Sequence, residues 1–184
     1  SRNFILALIE HAVRQAGRDI HAMAEDDISK RGMGTTVSLL LLTPKRGYIA
    51  HVGDSRVYLI RQKEVFQLTE DHSLIRELIK SKKLSPEEAE ASPYRNALTR
   101  AVGVYADVEV DLLDFEVADE DCFLLCSDGL SNYFEGDQEV QQILSEGSLE
   151  SAPQRFVEIA NARGGKDNIT SLVVEVKNRG TRAD

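Results

Sequence analysis

The chain has 184 residues, enough for one domain with a substantial core, and its 42% hydrophobic and 29% charged residues are typical of a folded globular protein. A net charge of -9 argues against a nucleic-acid-binding surface, because such a surface needs clustered Lys and Arg that carboxylates do not outnumber. No apolar run approaches the roughly 20 residues that span a bilayer, and the first residues lack the pattern of a signal peptide. We therefore expect a cytoplasmic protein that binds neither nucleic acid nor a membrane.

The first predicted element is an amphipathic helix over residues 3–24, where apolar residues recur at helical spacing and Asn3 is the candidate N-cap. Short runs rich in β-branched and aromatic residues follow, split by turn residues, and they predict an antiparallel meander. Its strands are expected in GTTVSLLLLT, GYIAHVG, SRVYLIRQ and EVFQLTE, with RQKE as the turn of the last hairpin.

Residues 72–98 return to a helical pattern that is polar on most faces. Within them the sequence SPEE, at 85–88, is a candidate capping box with Pro at the first helical position. We expect a small helical excursion that packs lightly on the body of the protein.

The remaining pattern predicts two more strands, two amphipathic helices and a final strand. These lie in VEVDLLDFEV, DCFLLCSDG, DQEVQQILSE, SAPQRFVEIANARGG and NITSLVVEVK, in that order. Hairpins in series with helices gathered between them favour an α+β layered fold over a doubly wound parallel sheet. Cys122 and Cys126 are expected to be reduced core residues, since their spacing is not that of a zinc knuckle. Residues 179–184 are expected to form a frayed tail.

Three aspartates share one local pattern: each lies at the end of a predicted apolar strand and next to Gly or Asn. They are Asp54 in HVGDSR, Asp128 in CSDGL and Asp167 in GGKDNIT. Gly lets the backbone turn sharply and lets an ion approach closely. Carboxylates without His or Cys companions suit hard cations such as Mg²⁺ or Mn²⁺. Each aspartate could equally cap a turn through its own side chain, and spacing alone does not show that the three meet in space.

Several motifs together carry a resemblance to a known family. They are GMGTTVSLLLL, AHVGDSRVYLI, LTEDHS, LSPEEAEASPYRNALTRAVG, FLLCSDGLSN and GGKDNITSLVVEV. In this order and approximate spacing, over nearly all of residues 32–176, the chain resembles the bacterial metal-dependent protein Ser/Thr phosphatases of the type 2C or PPM family. The resemblance implies a layered α-β-β-α sandwich of two antiparallel sheets in a single phosphatase-like domain over residues 1–178. It also implies hydrolysis of phosphoserine and phosphothreonine in proteins.

The resemblance also implies roles for individual residues. Asp128 and Asp167 match the ligands of the ion that activates the attacking water, and Asp54 matches the acidic position that, with Asp128, holds an additional, weaker ion. Residues 72–98 would be the flap that shapes substrate access, with Asn96 near the third ion and His72 at the flap entrance. The implied cofactors are Mg²⁺ or Mn²⁺, as two ions or three, and no protein side chain acts as the nucleophile. The implied partners are phosphorylated proteins and a Ser/Thr kinase.

The chain departs from the family at its N-terminal end. Family members begin with strands that carry an acidic residue, a phosphate-gripping Arg and an ADGMGG-like segment that bridges the two ions, and no such segment precedes Phe4. RGMGTT, at 31–36, has no Asp before its glycines, and AEDD, at 24–27, is expected to be a solvated helix end rather than a source of replacement ligands. We therefore expect the C-terminal portion of a catalytic domain, from truncation or as a natural short form. Its open sheet edges would favour association with another chain.

Two other functions would account for parts of the sequence. A pseudophosphatase that binds phosphoproteins or kinases would explain the missing segment. It would not explain why Asp54, Asp128 and Asp167 are present, except by chance. An esterase of the GDSL type would use Ser55 as its nucleophile, but no His in the sequence has an Asp three residues before it to complete the triad. Of the four histidines, His72 is the one whose position merits a test.

Overall fold

The computed structural model describes residues 1–90 and 92–177, apart from the side chains of Pro86 and Glu90. The chain divides into two units, which are described separately. Unit 1 consists of Ser1–Leu41, Gly47–Asp54 and Glu70–Phe115, and unit 2 of Leu42–Arg46, Ser55–Thr69 and the chain from Glu116 onward. The predicted tail, 179–184, lies outside the described residues, and the single domain over 1–178 stays a prediction.

Unit 1 is built on a long helix, α1 (Arg2–Asp26), whose apolar stripe faces a core of aliphatic side chains. The helix begins one residue before the predicted N-cap Asn3, so that prediction is wrong. A three-stranded sheet in the order β1-β2-β5 contributes Tyr48, Ala50 and Val52 to the same core. Its strands are β1 (Val37–Leu42), β2 (Arg46–Val52) and β5 (Asp111–Glu116). The buried core residues are Ile9, Val13, Tyr48, Ala50, Val52, Val102, Val108 and Val110.

Two short helices occupy the predicted helical excursion of unit 1, namely α2 (Leu74–Lys80) and α3 (Pro86–Glu90). The predicted capping box is confirmed, because the Ser85 N–H donates to Glu88 Oε2 at 2.9 Å and the Glu88 N–H donates to Ser85 Oγ at 3.2 Å. The two ends of the excursion are paired: the Thr99 N–H donates to the His72 carbonyl at 2.9 Å. An antiparallel bridge between Ser73 and Leu98 adds to this closure.

Unit 2 contains a four-stranded antiparallel sheet in the order β4-β3-β6-β7 and, up to residue 177, three α-helices. The strands are β3 (Arg56–Arg61), β4 (Glu64–Gln67), β6 (Cys122–Cys126) and β7 (Ser171–Glu175), and the helices are α4 (Asp128–Ser131), α5 (Asp137–Ser145) and α6 (Ala152–Ala162). The predicted hairpin turn is confirmed, with Gln62 and Lys63 both at positive φ. The buried core residues are Tyr58, Leu124, Cys126, Leu130, Val140, Ile143, Ala152, Phe156 and Ala160.

The predicted fold class is confirmed as mixed α and β with two antiparallel sheets. The prediction of one continuous meander is wrong, because β1 and β2 belong to one sheet whereas β3 and β4 belong to the other. The chain changes sheet at residues 53–55, where Gly53 takes a φ of 111° that only glycine adopts readily. Across the described residues, no helix combines the length and the apolar character that a bilayer span needs.

Candidate metal site

Asp128 stands where strand β6 gives way to helix α4. The strand ends at Cys126, Ser127 precedes the helix, and the Asp128 carboxylate accepts a hydrogen bond through Oδ1 from the Gly129 N–H at 2.8 Å. The side chain is half-buried rather than enclosed. The charge at the end of this buried strand is therefore held at the edge of the core, where a cation can reach it.

Asp167 lies in the loop between α6 and β7. Gly164 and Gly165 both have positive φ and turn the chain after the helix, and the Lys166 N–H donates to the Tyr133 hydroxyl at 2.9 Å. Asp167 is exposed, and its Oδ1 accepts from the Asn168 N–H at 2.7 Å. The loop is thus fixed on both sides of the carboxylate.

The structure brings Asp128 and Asp167 together within unit 2. The Ser127 hydroxyl donates to the Asn168 carbonyl at 3.1 Å and accepts from the Thr170 N–H at 3.0 Å, which ties the two loops to each other. Gly129 makes the approach possible, because a Cβ at this position would overlap the Asn168 carbonyl oxygen and lie 3.3 Å from Asp167 Cβ. The two aspartates therefore sit on adjoining stretches of backbone.

The donor set at this place fits a hard divalent cation. In each carboxylate one oxygen is oriented by a backbone N–H, while the second oxygen accepts no hydrogen bond from the described residues. Carboxylate pairs with water completing the coordination are the usual environment of Mg²⁺ in proteins. In the described part of the chain, no three His, Cys, Asp or Glu side chains converge as a complete metal cluster.

Asp54 belongs to unit 1 and follows strand β2 directly after Gly53. It is half-buried, and the Gly53 backbone before it packs on Thr36 so closely that a Cβ would overlap the Thr36 side chain. His72 holds the same glycine through two hydrogen bonds. The Gly53 N–H donates to His72 Nδ1 at 3.1 Å, and the His72 N–H donates to the Gly53 carbonyl at 2.8 Å.

His72 is buried, with 6% of its surface exposed, and its ring is fixed on both sides. Because Nδ1 accepts from Gly53, Nε2 carries the proton and lies 3.1 Å from Asp111 Oδ2. Arg100 donates to the other oxygen of Asp111 at 2.7 Å. Burial raises the pKa of Asp111, but His72 and Arg100 lower it by more, so the pKa of this carboxyl lies below its usual value.

His51 is a buried polar residue that sequence reasoning did not single out. Its Nδ1 accepts from the Ser38 hydroxyl at 2.9 Å, and its Nε2 donates to the Glu70 carbonyl at 3.1 Å. The ring centroid lies 4.9 Å from that of His72. Burial, and then the neighbouring His72, lower the pKa of His51, so the ring is neutral at physiological pH. The only sequence signal was a polar residue in the middle of the apolar run YIAHV.

The remaining predicted residues lie in distinct surroundings. Asn96 is exposed and lines a cleft of about 500 Å³ within unit 1. The other lining residues of this cleft are Gly32, Gly34, Thr35, Thr36, Leu98, Thr99, Ala101, Val104 and Tyr105. Asp27, from the acidic AEDD run, caps a 3₁₀ turn by accepting from the Ser29 N–H at 3.0 Å. Cys122 and Cys126 are free thiols, as predicted.

A family model described as protein phosphatase 2C matches residues 2–162. The serine/threonine phosphatase Stp of Listeria innocua is 40% identical over 168 residues, covering 91% of this chain and 66% of that protein. The crystal structure of the Mycobacterium tuberculosis serine/threonine phosphatase PstP/Ppp has a TM-score of 0.86 at 34% identity, covering 94% of this chain and 72% of that one.

A second structure, the catalytic domain of PstP in complex with 2 manganese ions, has a TM-score of 0.83 at 34% identity and the same coverage of 94% and 72%. This chain spans about two thirds of the length of the Listeria relative, 66%.

Proposed function

This chain belongs to the protein phosphatase 2C family, and on that premise we propose that it forms the C-terminal portion of a catalytic domain that hydrolyses phosphoserine and phosphothreonine in proteins with Mg²⁺ or Mn²⁺. The observation that carries the proposal is the packing of the Asp128–Gly129 backbone against the Asp167–Asn168 backbone. It brings the backbone at two aspartates from distant parts of the sequence together, which supports the proposal that their carboxylates share a divalent ion.

Each candidate site residue has a defined role in this proposal. Asp128 and Asp167 would hold a divalent ion, and Asp54 in unit 1 would be a ligand of a further, weaker ion. Bound divalent ions supply a water of lowered pKa and neutralise phosphate oxygens, so a phosphomonoester is attacked without a protein nucleophile. The N–H groups of Gly129 and Asn168 orient the carboxylates. Residues 72–98 would act as the flap, with Asn96 in the vicinity of the further ion.

The partners follow from the same premise. Phosphorylated proteins are the proposed substrates, and a Ser/Thr kinase that generates them remains a predicted partner, as does a cytoplasmic location. Association through open sheet edges also stays a prediction. In unit 2, the large apolar side chain most exposed for such an association is Leu172, which lies on the edge strand β7 and is 52% exposed.

The test is hydrolysis of p-nitrophenyl phosphate and of a phosphothreonine peptide, with and without Mn²⁺, by the complete gene product and by the 184-residue chain in parallel. We expect Mn²⁺-dependent turnover by the complete gene product and none by the chain alone, because its 184 residues contain no ADGMGG-like stretch. Asp128→Asn should abolish turnover, whereas Asp119→Asn, in an exposed turn of the same unit, should leave it unchanged.

The outcomes separate the competing functions. Turnover by the 184-residue chain would contradict both the hypothesis that its site is incomplete and the hypothesis that it is a pseudophosphatase. If the complete gene product bound the phosphopeptide but did not hydrolyse it with any divalent ion, the binding module would be correct and the phosphatase proposal wrong. Near-normal turnover of Asp128→Asn would contradict the assignment of the metal ligands.

A further inference from the structure

We propose that His72 is a positioning residue that fixes the turn carrying Asp54 and thereby sets the affinity of the weaker ion. This inference rests on the proposed role of Asp54 as a ligand. It goes beyond that role because it assigns a purpose to a buried histidine and to the charged residues that surround it.

The first step is the pair of hydrogen bonds between His72 and Gly53. The Gly53 N–H donates to the imidazole at 3.1 Å, and the His72 N–H donates to the Gly53 carbonyl at 2.8 Å. Both polar groups of the Gly53 backbone are therefore satisfied by one residue, and both residues are buried, so water does not compete for these groups. Gly53 precedes Asp54 directly, so this pair fixes the direction in which the Asp54 side chain leaves the backbone.

The second step is the immobility of the imidazole itself. Its Nε2 lies 3.1 Å from Asp111 Oδ2, and Asp111 is held in turn by Arg100 at 2.7 Å. Arg100 also pairs with Glu109 at 3.1 Å. A ring anchored at both nitrogens cannot rotate away from Gly53 without breaking a charged contact, which makes His72 a rigid support.

The third step links this support to residues 72–98. The His72 carbonyl accepts from the Thr99 N–H at 2.9 Å, so the same residue closes the base of the proposed flap. A displacement of the flap base would be transmitted to the Asp54 turn through one side chain and one peptide group. His72 is thus placed to couple the flap to the ion.

Two substitutions at His72 separate its two nitrogens. In His72→Asn the amide oxygen takes the place of Nδ1 and keeps an acceptor for the Gly53 N–H, but nothing replaces Nε2. In His72→Gln the amide reaches the place of Nε2 and keeps a donor for Asp111, but the acceptor for Gly53 is lost. The inference requires His72→Gln to be the more damaging of the two.

The experiment measures two quantities on the complete gene product: hydrogen exchange of the Gly53 amide by NMR without metal, and binding of Mn²⁺ by calorimetric titration. For His72→Gln we expect exchange at Gly53 to be at least tenfold faster and the dissociation constant of the weakest Mn²⁺ class to rise about tenfold. His72→Asn keeps the acceptor for the Gly53 N–H but loses the contact with Asp111, so both quantities should rise less than in His72→Gln, by about threefold. Asp54→Asn is the control, which should lose the weak Mn²⁺ class while the Gly53 amide stays protected.

The outcomes distinguish this inference from the function on which it rests. If Asp54→Asn loses the weak Mn²⁺ class but His72→Gln does not, the positioning role is wrong and the proposed function stands. If Asp54→Asn binds Mn²⁺ like the parent, the ligand role of Asp54 is wrong.

Should neither His72 variant fold, Asp111→Ala removes the acceptor of the Nε2–H group without touching the Gly53 hydrogen bonds. It should raise the Gly53 exchange rate and the Mn²⁺ dissociation constant together, and a rise in one without the other would overturn the inference.

Discussion

At Gly129 the backbone of α4 passes so close to residues 167 and 168 that no side chain fits between them. A Cβ there would overlap the Asn168 carbonyl oxygen, and backbone cannot move aside as a flexible side chain can. Gly129→Ala should therefore push Asp128 away from Asp167 and lower the free energy of unfolding by about 2 kcal/mol. It should also weaken Mn²⁺ binding. Urea unfolding and Mn²⁺ titration check the two effects.

Gly17→Ala is the matched control for this change. Gly17 lies inside helix α1, where alanine is favoured, and its Cβ would come no closer to another atom than 3.4 Å, the distance to a Val102 methyl group. We expect this variant to be as stable as the parent or slightly more so. If both alanine variants behaved alike, the close approach at Gly129 would not be what holds the two aspartates together.

The Cys122 thiol should be unreactive in the folded protein. Burial, and then the nearby charge of Glu175, raise the pKa of Cys122 to about 11. The thiolate is the reactive form, so alkylation by iodoacetamide at pH 8 should be about a hundredfold slower in the folded protein than in urea. Fragmentation of the modified peptide in tandem mass spectrometry separates Cys122 from Cys126, which are four residues apart. Glu175→Gln should speed the reaction modestly, and equal rates in folded and unfolded protein would contradict the buried environment.

At the scale of whole elements, sequence patterns predicted those features of helices and strands that depend on interactions between residues close in sequence. The α3 start followed from SPEE because a capping box involves residues three apart, and α1 followed from its apolar period. The division of the first four strands between two sheets did not follow, because it depends on which distant strands, β5 or β6, pair with β2 and β3.

The candidate site shows the same contrast between local and distant interactions. Asp128 and Asp167 were selected from their strand-edge positions, but their proximity rests on hydrogen bonds of Ser127 to residues about 40 positions away. His51 and Asp111 were missed because nothing local marks a buried polar residue whose partners come from other elements.

One ion pair satisfies a buried carboxylate beside the four-stranded sheet, and removing its cation should be costly. Arg61, at the end of β3, donates to both oxygens of Asp121 at 2.7 Å, and Asp121 is fully buried. The hydrogen bond to Asp121 is the main reason that the pKa of Arg61 lies above its usual value. Arg61→Met would leave a buried carboxylate without its cation and should lower the free energy of unfolding by about 3 kcal/mol.

Lys80→Met provides the comparison, because it removes a pair with Glu70 that is exposed on both sides and should cost about 0.5 kcal/mol or less. Urea unfolding of the two variants measures the difference. The double variant Arg61→Met with Asp121→Leu should recover part of the loss, since no charge then remains buried. Equal stability of the two single variants would show that Asp121 is not held by Arg61.

At the scale of the whole molecule, we expect stability to fall in mild acid because of His51. Its lowered pKa means that the unfolded chain binds a proton at about pH 6.5 whereas the folded protein resists protonation. Its contribution to stability is therefore fully present above about pH 6.5 and is lost as the pH falls through the lowered pKa of the folded state. Asp111, whose pKa is also lowered, contributes its full stabilisation above about pH 4 and loses it only at lower pH, so it does not obscure this window.

The test of this acid dependence is urea unfolding of the parent and of His51→Gln between pH 7.5 and 5.5. Glutamine keeps a donor for the Glu70 carbonyl but has no proton to gain, so the stability difference between parent and variant should shrink as the pH falls. His11→Gln, on the exposed face of α1, is the control and should follow the parent throughout. A difference that stayed constant over this range would mean that His51 is protonated as easily in the folded protein as in the unfolded chain, and the buried, neutral ring would then be the wrong description of unit 1.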